Sequence, residues 1–134
     1  MRQTATSIMK EGFTLPVGFI GLLVLSSFAI DPPNPMVGRW QQQIERVTLR
    51  FNFRPDGTYD GFVNGKSYLT GRYYVHQDTM GVTDGKCNPA YFGIYRLKFS
   101  VPDSVRFITI LDTCRDRRET VPTLALGRVT PVKP

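Results

Sequence analysis

Few residues of this chain have the types and spacing that chemistry requires. His76 is the only histidine in 134 residues, and Cys87 and Cys114 are the only cysteines. A nucleophilic triad needs a base beside a serine, cysteine or threonine, but His76 ends a predicted strand, where we expect it to face solvent. The sequence has no group of side chains with metal-ligand spacing. It therefore predicts a protein that is not an enzyme and uses no metal or cofactor.

The densest run of charges begins at Asp112. Residues 112–119 carry three arginines and three acidic residues, so their charges sum to zero. A carboxylate that stands close to arginines is typical of an ion pair. We interpret Asp112 as the partner of Arg115 or Arg117 in a structural pair beside Cys114. A catalytic acid is the alternative interpretation of Asp112.

The overall charge is positive but dispersed. The formal net charge is +6, and the arginines alternate with apolar residues along predicted strands, as they do on solvated strand faces. Binding of a nucleic acid needs a concentrated basic patch, and the sequence has none. We therefore expect no nucleic-acid partner.

Residues 1–29 have the features of a signal peptide. Arg2 and Lys10 supply positive charge, an apolar run covers 15–25, and the small residues Ser27 and Ala29 are spaced as at a cleavage site. The apolar run is shorter than the roughly 20 residues that cross a bilayer, so an uncleaved anchor is the less favoured alternative. We expect a secreted or periplasmic protein that meets a membrane only through this transient segment.

Export changes the expected state of the two cysteines. Two thiols in a small exported domain usually pair, and this pair would close a loop of about 28 residues, which stabilises a fold by roughly 3 kcal/mol. A redox or nucleophilic cysteine is the alternative, but the sequence has no Cys-x-x-Cys motif. We predict a structural disulfide between Cys87 and Cys114.

Short strands separated by turn signals fill the rest of the chain. The clearest strand, Arg46–Arg54, alternates apolar and polar side chains with the period of two that indicates a half-buried strand. Asn64-Gly65 is a hairpin turn sequence. Arg115–Pro122 is predicted to be a polar loop, and no helix is predicted. The predicted strands cover Val37–Gln43, Arg46–Arg54, Thr58–Val63, Lys66–His76, Thr79–Thr83, Tyr91–Ser100, Val105–Asp112 and Thr123–Val129.

These eight strands predict an all-β fold, a single antiparallel up-and-down barrel over residues 37–129, with residues 130–134 as a tail. Short turns favour pairing between consecutive strands, and closure removes the exposed edges of the sheet. A β-sandwich is the alternative fold, but it needs longer connections that cross between two sheets.

The first and last predicted strands resemble those of a known superfamily. Gly38-Arg-Trp40 is similar to the Gly-x-Trp motif that opens lipocalin and calycin barrels, in which the Trp plugs one end and a late Arg packs across its ring. Arg128 stands at the matching late position, and a guanidinium over a desolvated indole gains about 1–2 kcal/mol. The resemblance implies structural roles for Trp40 and Arg128.

Three further elements resemble the small, secreted, bacterial lipocalin-like domains, which are largely uncharacterised. They occur in the order of that family and extend the resemblance over about residues 37–129. The resemblance implies the same barrel fold. The elements are Phe53-Arg-Pro-Asp-Gly-Thr-Tyr59, Cys87 ahead of Gly93-Ile-Tyr95, and Asp112-Thr-Cys-Arg-Asp-Arg117.

The interior of an eight-stranded barrel can be filled by side chains or can hold one small ligand. Large aromatic side chains favour a filled core, whereas glycines at 61, 71, 81 and 93 favour space if they face inward. We predict binding of a small apolar ligand inside the barrel or at its mouth, driven by burial of apolar surface. The predicted lining residues are Phe51, Phe53, Tyr73, Tyr95 and Phe107.

A protein-binding or protease-inhibitor-like module is the alternative function. Three prolines in residues 30–36 would hold that segment extended, and extended segments fit clefts in partner proteins. The Arg-rich run 115–118 is a second candidate contact for a protein partner. A spacer is the plain interpretation of residues 30–36.

Overall fold

A computed structural model describes residues 33–129, so the predicted signal peptide 1–29, residues 30–32 and the tail 130–134 lie outside the described residues. In the described part, none of the helices is long and apolar enough to span a membrane. The strands are β1 Gly38–Ile44, β2 Val47–Phe53, β3 Thr58–Val63, β4 Lys66–His76, β5 Thr79–Asp84, β6 Gly93–Ser100, β7 Ser104–Leu111 and β8 Ala125–Arg128. Helix α1, Arg115–Thr120, and a 3₁₀ turn, Val121–Thr123, lie between β7 and β8.

Each strand pairs with its neighbours in the sequence, and β8 also pairs with β1, so the sheet closes into a barrel. The closing register places Trp40 opposite Arg128 and Gln41 opposite Gly127. Closure satisfies the strand edges that an open sheet would expose. The predicted eight-stranded up-and-down barrel is confirmed, and the β-sandwich alternative is wrong.

Turn chemistry sets the register of the first hairpins. Asn64 and Gly65, between β3 and β4, have φ of 48° and 82°, which a two-residue hairpin turn requires and which these residue types tolerate. The bounds of β3 and β4 coincide with those predicted, and every other strand begins and ends within two residues of its prediction. Local turn residues and period-two alternation therefore determine most of this sheet.

The two ends of the barrel are built from different parts of the chain. One end, which we call the closed end, is formed by residues 34–37 and the turns β2–β3, β4–β5 and β6–β7. We call the mouth the opposite end, formed by the turns β1–β2 and β3–β4, the loop 85–92 and the segment 112–124. The core runs between them, and its largest fully buried side chains include Trp40, Tyr95 and Met80.

The segment between β7 and β8 differs from the prediction. The sequence predicts a polar loop over Arg115–Pro122 and no helix, but α1 occupies Arg115–Thr120, so that prediction is wrong. The single buried side chain of α1 is Arg117. A helix of six residues that buries an arginine leaves no apolar periodicity from which it could be predicted.

The predicted disulfide between Cys87 and Cys114 is confirmed, with a Cα–Cα distance of 6.0 Å. It joins the loop between β5 and β6 to the residue that precedes α1. Disulfides persist in oxidising compartments. The bond therefore indicates that the protein works in an extracellular or otherwise oxidising environment.

Candidate functional site

A cavity of about 200 Å³ lies inside the barrel at the mouth. Its walls are mostly apolar side chains that point inward from consecutive strands, because alternate residues of each strand face the interior. Phe62, Tyr68 and Lys86 stand at the rim of the cavity. The inner wall includes Leu49, Phe51, Phe53, Tyr59, Leu69, Met80, Val82, Tyr95, Phe107, Leu124 and Leu126.

The structure brings together four of the five predicted lining residues. Phe51, Phe53, Tyr95 and Phe107 line the cavity. Tyr73 does not line it: the Tyr73 hydroxyl donates to the Arg54 carbonyl oxygen at 2.7 Å, towards the closed end. The Tyr73 ring lies edge-on to Phe53, with 5.0 Å between ring centroids. The alternation of side chains along a strand predicts which residues face the interior of the barrel. It does not show whether such a residue lies beside the cavity or in the part of the interior that side chains fill.

The glycines at positions 61, 71, 81 and 93, which would leave space if they faced inward, have different roles. Gly61 lines the cavity. Gly81 lies under the Tyr74 ring, where a Cβ would come within 2.3 Å of the ring, and Tyr74 is 42% exposed on the outer surface. A Cβ on Gly93 would lie 2.2 Å from the Asp112 carboxylate. Gly71 is covered by the backbone of β5. Only Gly61 therefore adds space to the cavity.

Trp40 plugs the closed end. Its side chain is 1% exposed, and its indole Nε1 donates to the Met36 carbonyl oxygen at 2.9 Å. The Arg128 guanidinium carbon lies 4.3 Å from the ring centroid. The same guanidinium donates to the Val37 and Pro35 carbonyl oxygens at 2.9 and 2.8 Å. These contacts seal the barrel against solvent at the end opposite the cavity.

The described part of the proline-rich segment is anchored to the closed end. Met36 is fully buried in the core, and the Asn34 side-chain amide donates to the Tyr73 hydroxyl at 3.3 Å. Residues 34–36 are therefore fixed against the barrel and are not a free arm. A protein-binding role for residues 30–36 stays a prediction, because residues 30–32 lie outside the described part.

A buried ion cluster holds the segment that covers the mouth. Arg117 donates through Nε and Nη2 to the two oxygens of Asp112, at 2.7 and 2.9 Å. Its Nη1 donates to Asp84 Oδ2 at 3.1 Å. The sequence left Arg115 and Arg117 open as partners of Asp112, and Arg117 is the partner. Arg115 is exposed and pairs with Glu119 along α1.

The carboxylate of Asp112 is the centre of this cluster. Besides Arg117, it accepts hydrogen bonds from the Tyr95 hydroxyl and from the Cys114 backbone N–H at 2.9 Å. Burial alone would raise the pKa of Asp112, but the hydrogen bonds from Arg117, Tyr95 and Cys114 outweigh it and lower that pKa below its ordinary value. Burial and the hydrogen bond to Asp112 raise the pKa of Tyr95. Asp112 is therefore ionised and Tyr95 neutral at neutral pH, which is the state of a structural cluster.

Tyr59 is a site residue that the sequence analysis missed. Its side chain is 5% exposed, it lines the cavity, and its ring stacks on Phe53 with 5.2 Å between centroids. The Thr58–Val63 strand pattern, which puts residues 59, 61 and 63 on one face, was a signal that could have found it.

His76 lies at the end of β4 with an exposed side chain, and the described residues contain no group of three His, Cys, Asp or Glu that could hold a metal ion. Comparison of the chain with protein-family models, with curated proteins and with solved structures found no match in any of the three. Within residues 33–129, the cavity and its surroundings are the feature from which a function can be argued.

Proposed function

We propose that the protein binds a small, largely apolar molecule in the cavity at the mouth of the barrel. The observation that carries this proposal is an unfilled, apolar space that opens at one end only, while Trp40 and Arg128 close the other end. Side chains fill protein interiors to high density, and voids of this size are few in a domain. An apolar hollow inside a barrel is typical of a ligand site.

The size of the cavity limits the ligand. A cavity of about 150 Å³ lined by apolar side chains takes up benzene, and drug-sized sites begin at about 300 Å³. The present volume of about 200 Å³ lies between the two. The ligand is therefore a single substituted ring or a short acyl or alkyl chain rather than a sterol, a haem or a long-chain fatty acid.

We further propose that the protein is secreted and belongs to the lipocalin-like domains that its sequence resembles. The Trp40–Arg128 stack at the closed end supports the second proposal, because it has the arrangement that the resemblance implies. The disulfide supports export. Export is tested by N-terminal sequencing of the protein from its own host, where a mature chain that begins at Ile30 is expected and an intact residue 1 contradicts it.

The binding proposal is tested by calorimetric titration of the protein with p-xylene. Burial of one small ring, after the loss of translational freedom, gives an expected dissociation constant between about 10 μM and 1 mM. Val82→Phe, which puts a ring into the cavity wall, should abolish binding. Ile110→Phe enlarges a side chain that is 49% exposed on the outside of β7, and it should bind as the wild type does.

Absence of binding to the wild type, or equal binding by Val82→Phe, contradicts the proposal. Native mass spectrometry of the protein from its own host then identifies the molecule that the cavity holds. We expect a co-purifying compound of about ten non-hydrogen atoms, because the cavity is only slightly larger than one that takes up benzene.

A further inference from the structure

The hydroxyl group of Tyr59 has no hydrogen-bond partner among the described residues. Some side-chain polar atoms in residues 33–129 are fully enclosed by the protein. Among these atoms, Thr109 Oγ1 alone lacks a hydrogen-bond partner. The Tyr59 hydroxyl also makes no hydrogen bond to residues 33–129 and is not among these enclosed atoms, so it keeps contact with accessible space. Since the side chain is almost wholly buried and lines the cavity, that space is the cavity.

The strand register connects Tyr59 to Asp84 through Gly71, across two neighbouring strand pairs. Tyr59 pairs with Gly71, and Gly71 pairs in turn with Asp84. The Thr83 carbonyl oxygen and the Asp84 Cα lie 1.8 and 3.0 Å from the position that a Cβ on Gly71 would take. The end of β5 thus folds inward over Gly71, which brings the Asp84 side chain towards Tyr59 on the cavity wall.

Asp84 still has acceptor capacity. Its Oδ1 accepts from the Lys86 backbone N–H at 2.8 Å and its Oδ2 from Arg117 at 3.1 Å, and each carboxylate oxygen has two lone pairs. Tyr59 stays protonated and can donate, because burial and then the charge of Asp84 raise its pKa. The cavity wall thus presents one free donor beside one free acceptor.

The buried charges that act on Tyr59 disfavour an anion beside it, while the other two charged residues that line the cavity, Lys86 and Asp116, are of opposite sign. Asp84 and Asp112 share the single guanidinium of Arg117, so the buried cluster carries a net negative charge. A ligand carboxylate would be repelled by that charge. A hydroxyl group, in contrast, accepts from one neighbour and donates to another.

From this arrangement we infer that the ligand is a small apolar molecule with one hydroxyl group, which accepts a hydrogen bond from the Tyr59 hydroxyl and donates one to the Asp84 carboxylate. This inference rests on the proposed function and names the class of ligand that the cavity selects. Tyr59 and Asp84 are its specificity-determining residues.

Three probes of one shape test the inference by calorimetric titration at neutral pH. They are p-cresol, p-xylene and p-toluate, which carry a hydroxyl, a methyl and a carboxylate at the same ring position. The decisive quantity is the ratio of the p-xylene to the p-cresol dissociation constant, compared between the wild type and Tyr59→Phe. We expect the ratio to fall about threefold to tenfold in the variant, the contribution of about one net hydrogen bond.

Tyr74→Phe is the matched control, since it removes a hydroxyl from the outer surface of the barrel, and it should leave the ratio unchanged. An unchanged ratio in Tyr59→Phe, with p-xylene still bound, overturns the inference and leaves the proposed function intact. Failure of the wild type to bind any probe overturns both.

The wild type alone gives a second readout that does not depend on how well Tyr59→Phe folds. We expect p-toluate to bind at least about tenfold more weakly than p-cresol, which is the effect of about 1.4 kcal/mol of charge repulsion and desolvation. Equal or tighter binding of p-toluate overturns the assignment of a hydroxyl to the ligand.

Discussion

The closed end and the mouth of the barrel each place an arginine against the core, but the partners of the two arginines differ. At the closed end, Arg128 lies over Trp40 and donates to backbone carbonyl oxygens. At the mouth, Arg117 donates to the carboxylates of Asp112 and Asp84. The first arrangement adds no buried carboxylate, because the acidic neighbour of Arg128 is the exposed side chain of Asp103, 3.8 Å away. It lets aromatic side chains fill the space. The second places the charged side chains of Arg117 and Asp84 at the cavity.

The comparison shows where a barrel of this size can leave room for a ligand. Phe53, Tyr59 and Tyr73 form a packed aromatic group between the closed end and the cavity, and Phe53 and Tyr59 are also part of the cavity wall. Beyond it, the segment that covers the mouth packs Leu124 into the core, and a disulfide and ion pairs hold the segment as well. The interior can therefore stay unfilled at the mouth without loss of the cover.

The largest effect is expected from removal of the arginine of the mouth. Arg117→Ala leaves two buried carboxylates without their cation and should lower the free energy of unfolding by about 3–5 kcal/mol. Arg115→Ala, which removes the exposed partner of Glu119, should cost at most about 1 kcal/mol. Urea unfolding followed by far-UV circular dichroism measures both. Equal effects of the two variants would show that Arg117 is not the residue that holds the mouth.

The disulfide comes next in size. The double variant Cys87→Ser, Cys114→Ser should lose roughly 3 kcal/mol of stability, since the bond closes a loop of about 28 residues in the unfolded chain. Ligand affinity should fall as well, because the loop and the helix at the mouth lose their covalent link. The near-UV signal of Trp40 should persist at temperatures below the unfolding transition. Loss of that signal in the still-folded variant would mean that the two ends are not independent.

A smaller effect is expected from the arginine of the closed end. Arg128→Met keeps an apolar stem over the indole but removes the cation and two donors, so it should cost about 1–2 kcal/mol. The affinity for p-xylene should stay within about twofold of the wild type, because the substitution does not touch the cavity. A twofold change corresponds to about 0.4 kcal/mol of binding free energy. A large loss of affinity would contradict the separation of a sealed end from a binding end.

Acidification from pH 7 to pH 4 is expected to have the smallest effect on stability. The pKa of Asp112 is lowered in the folded state, so its contribution to stability is complete above the ordinary aspartate value of about 3.9 and is lost as the pH falls through the lower, folded value. Thermal unfolding should be almost independent of pH down to about 4 and fall steeply below it. Asp112→Asn should flatten the acid limb, and an unchanged limb would exclude Asp112 as its cause.

Much of the barrel could be predicted from the sequence, and the two ends differ in how far prediction reached. Alternation in β2 and the Asn64-Gly65 turn specify strands and register locally. The Gly-x-Trp motif pointed to the Trp40–Arg128 contact of the closed end. At the mouth, α1 is too short to show a period, and Arg117 could not be separated from Arg115 by spacing alone. That no neighbour within residues 33–129 bonds to the Tyr59 hydroxyl depends on the packing of several strands, and no sequence pattern carries that information.

The most direct measurement is a titration of ¹⁵N-labelled protein with p-xylene, followed by two-dimensional NMR. We expect saturable shifts in the backbone amides of Phe51, Gly61, Val82 and Phe107, which surround the cavity, while the indole N–H of Trp40 stays in place. A spectrum that does not change, or shifts that centre on Trp40 and the outer strand faces, would contradict a hollow mouth that binds apolar molecules.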